Sequence, residues 1–136
     1  MSKIVGVIIL SILVAATLAN IDNKCLQCIC KVESACRPLG CAWDVNSNSC
    51  GYYQIKNVYW IDCGKPGSSL AACGKDKACS EKCVRAYMQR YATRCTGGRK
   101  PTCQDEARIH KGGPNGWKKS ATIGYWNKVA ACYNSG

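Results

Sequence analysis

The chain has 136 residues, a formal net charge of +11, 13 cysteines and a single histidine. That length suits one domain, and one histidine among cysteines spread along the chain argues for a disulfide scaffold and against a metal site, C-x-x-C-x-C at Cys25, Cys28 and Cys30 notwithstanding. The basic balance draws the protein to anionic cell surfaces, but its Lys and Arg are scattered with no nucleic-acid motif, so no nucleic-acid partner is expected.

Residues 1–19 read as a secretory leader. Lys3 gives a positive start, "IVGVIILSILVAA" is apolar, and Thr17 and Ala19 are small residues ahead of a cut after Ala19. The apolar run is too short for a membrane anchor. The expected product is a secreted, extracellular domain over 20–136.

In "NKCLQCICKVESAC", Leu26, Ile29, Cys30 and Val32 fall near helical spacing, which predicts a helix over 24–34 with Glu33 at its C-terminal end. Pro38 and Gly40 stop it. "CAWDVNSNSCGYYQI" predicts a hairpin: Trp43 and Val45 alternate with Asp44, "NSNS" supplies the turn, and "GYYQI" is the second strand. Cys41 and Cys50 are suitably spaced to bridge it. Gly64, Pro66 and Gly67 mark a loop. In "ACSEKCVRAYMQRYATRC", Cys79, Cys83, Tyr87 and Tyr91 recur every four residues, a long helix with Val84 and Met88 beside them. "CQDEARIH" predicts another, ended by Gly112, Gly113 and Pro114. "SATIGYWNKVAAC" predicts the last, with Ser120 or Thr122 as N-cap. The sum is a small α+β domain, mostly helical, with one short hairpin.

Two acids stand in the most cross-linked stretch. Glycoside hydrolysis needs two carboxyl groups flanking one bond, one holding a proton and one ionised. The negative end of a helix dipole and apolar neighbours disfavour charge at Glu33, which suits a proton donor. Asp44, on an exposed strand among polar residues, suits a nucleophile or charge stabiliser. Spacing alone leaves open that Glu33 is a solvated helix residue and Asp44 a turn former.

The blocks "CLQCICKVESAC", "CAWDVNSNSCGYYQIK", "YWIDCGKPG", "CVRAYMQRY" and "RIHKGGPNG" occur in order over nearly all of 20–136. Together they resemble the invertebrate-type lysozymes, including the destabilase branch. The resemblance implies a lysozyme-like fold and cleavage of the β-1,4 bond between N-acetylmuramic acid and N-acetylglucosamine in bacterial peptidoglycan. It implies an antibacterial or digestive role, Glu33 as general acid, Asp44 as its partner and no cofactor or metal. Net retention is expected, which carboxyl groups about 5–6 Å apart would support. Sugar contacts are implied at Lys56, Asn57, Tyr59, Trp60, Ile61 and Asp62, at Tyr87, and at His110, Lys111 and Gly112. Core packing is the alternative for Trp60 and Tyr87, and a supporting role is expected of His110. The family usually has asparagine where this chain has Lys111.

The resemblance also implies six bridges: Cys25–Cys103, Cys28–Cys132, Cys30–Cys36, Cys41–Cys50, Cys63–Cys83 and Cys73–Cys79. Trp117 replaces a cysteine of the family whose usual partner corresponds to Cys95, so Cys95 is expected to be free. Two alternatives remain. One is isopeptidase activity on ε-(γ-Glu)-Lys links, for which Ser49 with Lys56 or Lys65 is a conceivable Ser–Lys pair. The other is cationic antimicrobial action without turnover. The expected state is a monomer or weak dimer.

Overall fold

Asp22 opens the first helix by accepting a hydrogen bond from the Cys25 N–H at 2.7 Å. In the computed structural model, which describes residues 20–136, this helix (α1) spans Asn23–Ser34. The leader expected over 1–19 lies outside the described residues. α1 buries Cys25, Leu26, Cys28, Ile29 and Cys30, the stripe its apolar periodicity dictates. It ends at Ala35 in the left-handed region (φ 56°), whose N–H caps the carbonyls of Cys30 and Lys31.

A two-stranded antiparallel hairpin follows, β1 (Ala42–Asp44) and β2 (Ser47–Ser49), with Trp43 opposite Asn48 and Asp44 opposite Ser47. The turn lies at Val45 and Asn46, and "SNS" is the second strand; "GYYQI" joins only through a bridge between Cys50 and Ile55. This corrects the expected pairing. Val45 takes φ 64° and reverses the chain early. Gly51 at φ 80° then folds the backbone against Gly74, where a Cβ would meet the Gly74 oxygen at 1.7 Å. Only glycine permits that approach, so the segment cannot run on as a strand.

Two short helices, α2 (Asn57–Asp62) and α3 (Leu70–Lys75), lead into α4 (Lys77–Cys95). Asp76 caps α4 through the Cys79 N–H, and Cys83, Val84, Tyr87 and Met88 form its buried face. Thr102 and Asp105 cap α5 (Cys103–Gly112) reciprocally, satisfying two N–H groups at once. Two 3₁₀ turns, Gly116–Lys118 and Ser120–Thr122, precede α6 (Ile123–Tyr133). The N-cap expected of Ser120 or Thr122 does not form through a side chain. The Thr122 hydroxyl instead donates to the Gly116 carbonyl and accepts from Arg108 Nε, pinning the 3₁₀ segment to α5.

The core gathers Ile29 of α1, Tyr53 and Ile55, Val84 and Met88 of α4, Ile109 of α5 and Val129 of α6. Six disulfides surround it, joining Cys25–Cys103, Cys28–Cys132, Cys30–Cys36, Cys41–Cys50, Cys63–Cys83 and Cys73–Cys79. Cys95 is the free cysteine among the described residues. The architecture is therefore mostly helical α+β with one hairpin. Bridges of this kind typically contribute about 2–4 kcal/mol each. Cys30–Cys36 and Cys41–Cys50 fasten the two segments that carry Glu33 and Asp44.

Candidate active site

Glu33 leaves the last turn of α1 and Asp44 the end of β1, and both line one cavity of about 500 Å³. The local chain fixes each position. Ser34, beside Glu33, donates to the Tyr52 carbonyl at 2.7 Å and accepts from the Arg37 N–H, so the C-terminus of α1 is tied to the segment after the hairpin. Asp44 Oδ2 accepts from the Ser49 hydroxyl at 3.1 Å across the hairpin, and Lys56 Nζ stands 3.8 Å from the same oxygen. Lys56 also donates to the Asp44 carbonyl. One hydroxyl and one ammonium thus orient this carboxylate.

Glu33 is largely buried, and two side chains approach the same oxygen. Tyr125 O–H donates to Oε2 at 3.0 Å, and His110 Nε2 lies 3.3 Å from it. His110 Nε2 is also 2.9 Å from the Tyr53 carbonyl. A carbonyl only accepts, so Nε2 carries the hydrogen and donates it to Tyr53, with the Glu33 oxygen alongside the same nitrogen. The other ring nitrogen, Nδ1, is 2.9 Å from Tyr59 O–H. With Nε2 protonated, neutral His110 accepts there from Tyr59. Tyr59 stacks on Tyr87 with ring centroids 3.7 Å apart and planes within 5°.

Burial holds this network in its protonated form. It pushes the Tyr59 hydroxyl well above 10, helped by neighbouring Tyr87 and the charge of Glu33. It does the same to Tyr125, with the Glu33 charge and hydrogen bond next in size. Both phenols therefore remain donors across the physiological range. Glu33 Oε2 accepts from Tyr125, whereas Tyr59 reaches Glu33 only through His110; Oε1 has no hydrogen-bond partner among the described residues.

Of the expected sugar contacts, Lys56, Tyr59, Asp62, Tyr87, His110 and Lys111 line the cavity. Asn57, Trp60, Ile61 and Gly112 are outside its lining. The Trp60 indole donates to the Pro66 carbonyl at 2.9 Å and packs against the core. Asn57 and Ile61 point from α2 to solvent. Ser49, Gln54, Val58, Gly113 and Pro114 complete the lining without having been singled out as sugar contacts. Ser49 is 1% exposed and its hydroxyl is engaged with Asp44. Tyr125 was missed altogether. Its signal, a tyrosine on the buried face of the last helix, is indistinguishable in sequence from ordinary core packing. No cluster of metal-ligating side chains exists among the described residues.

The destabilase family model matches residues 22–132. Lysozyme 1 of Crassostrea virginica is 56% identical over 111 residues, covering 82% of this chain, although the chain spans only 59% of that relative's length. The lysozyme of Magallana gigas is 50% identical over 130 residues, 95% of this chain and 93% of the relative. Among solved structures, the inhibitor-bound lysozyme from Meretrix lusoria superposes with a TM-score of 0.80 at 48% identity, over 87% of this chain and 98% of that one. Tapes japonica lysozyme gives 0.74 at 54% identity, over 79% and 87%.

Proposed function

The chain belongs to the destabilase family, the invertebrate-type lysozymes, and from that membership we propose a secreted muramidase that hydrolyses the β-1,4 bond between N-acetylmuramic acid and N-acetylglucosamine. The enzyme is a glycosidase of the lysozyme type. The observation that carries the assignment of roles is the convergence of Glu33 and Asp44 on one cavity with unlike surroundings: Glu33 enclosed by aromatic rings, Asp44 half-exposed beside Ser49 and Lys56.

Glu33 is the general acid. Tyr125 donates to Oε2, so the acid proton resides on Oε1, where it is delivered to the leaving glycosidic oxygen. That bond breaks as the oxygen takes the proton. Asp44 then faces the developing positive charge on the sugar as a carboxylate, and an incoming water completes hydrolysis with Glu33 acting as base. His110 and Tyr59 position Glu33 without touching the sugar's reacting atoms. Fixing the acid in this way lowers the entropic cost of reaching the transition state.

Bacterial peptidoglycan is the polymer substrate, and the basic surface brings the enzyme to anionic envelopes. The Meretrix lusoria lysozyme has been seen in complex with PliI of Aeromonas hydrophila; recognition by a bacterial protein inhibitor of that kind extends to this chain. Turbidity loss of purified cell walls tests the assignment. Glu33→Gln is expected to lower the rate about 1000-fold or more, and Asp44→Asn about 100-fold or more, with melting temperatures preserved. Full turnover by Glu33→Gln would remove Glu33 as the acid.

A further inference from the structure

At the opposite end of α1 from Glu33, about 16 Å away along the helix, lies a second cavity of about 510 Å³. Asn20, Asp22, Lys100, Glu106, Trp126 and Tyr133 line it. Glu106 enters from α5. It is 4% exposed, and its carboxyl makes no hydrogen bond or ion pair among the described residues. Its oxygens are not sealed off but meet only the cavity, where an unpaired charge on a largely buried side chain is costly.

The surrounding groups do not relieve it. Asp22 spends one oxygen on the Cys25 N–H and the other on Tyr133 O–H. Asp105 is taken by Arg99 and Thr102. Lys24 sits over the Tyr133 ring. Lys100 supplies a cationic pull, but burial and the charges of Asp22 and Asp105 outweigh it, and Glu106 is pushed up to about 8. Such a pocket is complementary to a compact cation carrying several N–H donors.

We infer that this cavity is a site for a primary ammonium group, and that its resident occupant is the α-ammonium of Asn20 released when the leader is removed. The inference rests on a leader that ends at Ala19. Hydrolysis of the Ala19–Asn20 peptide bond consumes one water, leaves a carboxylate on Ala19 and frees an amine on Asn20. That amine takes up a proton below its ordinary pKa of about 7.7–8.0. In the uncut chain the same nitrogen is an uncharged amide with a single N–H. Asn20, where the new terminus forms, itself lines the cavity. Arg85 donates to Asn20 Oδ1 at 3.3 Å and to the Ile21 carbonyl at 2.8 Å, anchoring the chain start. Processing thus supplies the counter-ion that Glu106 lacks.

The test uses four proteins secreted from the full precursor, each with its start verified by mass spectrometry: wild type, an insertion of Gly-Ser between Ala19 and Asn20, Glu106→Gln, and the combination. The insertion carries the amine two residues farther away, up to about 7 Å. At pH 6.5 it is expected to lower the melting temperature by about 5 °C when Glu106 is present, and to leave it unchanged in the Glu106→Gln background. Carbon-13 titration of the Glu106 carboxyl is expected at acid pH in wild type and at least two pH units higher in the insertion protein. Peptidoglycan lysis should be equal in all four, since Glu106 lies outside the catalytic cleft. An insertion penalty of equal size in both backgrounds, the same Glu106 titration with and without it, or a secreted wild type that begins at another residue would each overturn the inference.

Discussion

Tyr125 and Glu33, 92 residues apart, meet at a single oxygen: the phenol donates to Glu33 Oε2 at 3.0 Å. His110 approaches the same atom at 3.3 Å. A donor on one carboxyl oxygen makes the two oxygens inequivalent, and in the proposed role that asymmetry leaves Oε1 for the acid proton.

Tyr125→Phe removes one donor while keeping the ring that fills the core. The fold should survive, because the buried hydroxyl and its partner are lost as an interaction but the packing volume is conserved. Glu33 loses orientation rather than substrate affinity. The expected outcome is a fall in kcat of about 10-fold with KM nearly unchanged, read on a soluble chito- or muropeptide substrate. A rise in KM with constant kcat would instead make Tyr125 part of sugar binding.

The helices were legible because their apolar periodicity is local: the stripe of α1 and the four-residue recurrence of Cys79, Cys83, Tyr87 and Tyr91 lie within a few residues. For the two acids, spacing alone left ordinary structural roles open and the catalytic roles came from the family resemblance, but Glu33 at a helix end and Asp44 in the hairpin, which both line one cavity, were legible as positions. The β2 register was not, because it depends on Gly51 meeting Gly74, a contact between distant segments. α2 and α3, at six residues each, are too short to show a helical period. Tyr125 and Glu106 escaped for one reason in two forms. Each sits on a helix whose pattern explains it as core or surface, and only tertiary packing brings the phenol to Glu33 and leaves Glu106 without a partner.

Cys95 is half-buried, and its thiol donates to the Pro114 carbonyl. Burial raises its pKa above the ordinary thiol value, so less thiolate is present at a given pH. Native protein at pH 7.5 should therefore react with a disulfide reagent more slowly than the unfolded, non-reduced chain, and the latter should release one equivalent. Three equivalents would mean that one of the six bridges is open in the native protein.

The hydroxyls of Tyr53, Tyr59, Tyr87 and Tyr125 are all raised above the ordinary phenol value, burial being the largest cause in each. For a phenol the ionised form is the charged one, so a raised folded value means that the native state holds its protons longer than the unfolded chain does. The stabilising effect of that retention is complete below about pH 10 and declines as pH climbs beyond it. Absorbance at 295 nm should show these four failing to ionise until the chain unfolds, with the alkaline melting temperature dropping over the same range. Reversible titration of all seven tyrosines near pH 10 in folded protein would contradict the enclosure of the Tyr59–His110–Glu33 network.

Gly51→Ala probes how the hairpin is held beside the catalytic cleft. At φ 80° an L-residue is strained, and the added methyl would meet the Gly74 carbonyl oxygen at 1.7 Å and its carbon at 2.1 Å. Backbone cannot yield as a flexible side chain does, so the segment after β2 must shift. That shift threatens the hydrogen bond from the Tyr52 N–H to the Gly74 carbonyl. It also carries Tyr53 with it, whose own carbonyl accepts from His110. The expected cost is about 3 kcal/mol of stability. Activity should fall further than stability explains, because His110 loses the carbonyl that anchors its ring beside Glu33. Thermal melting and cell-wall lysis measured on the same preparation separate the two effects: a destabilised protein with undiminished kcat well below its melting temperature would show that the link from Gly51 through Tyr53 to the acid carries no catalytic information.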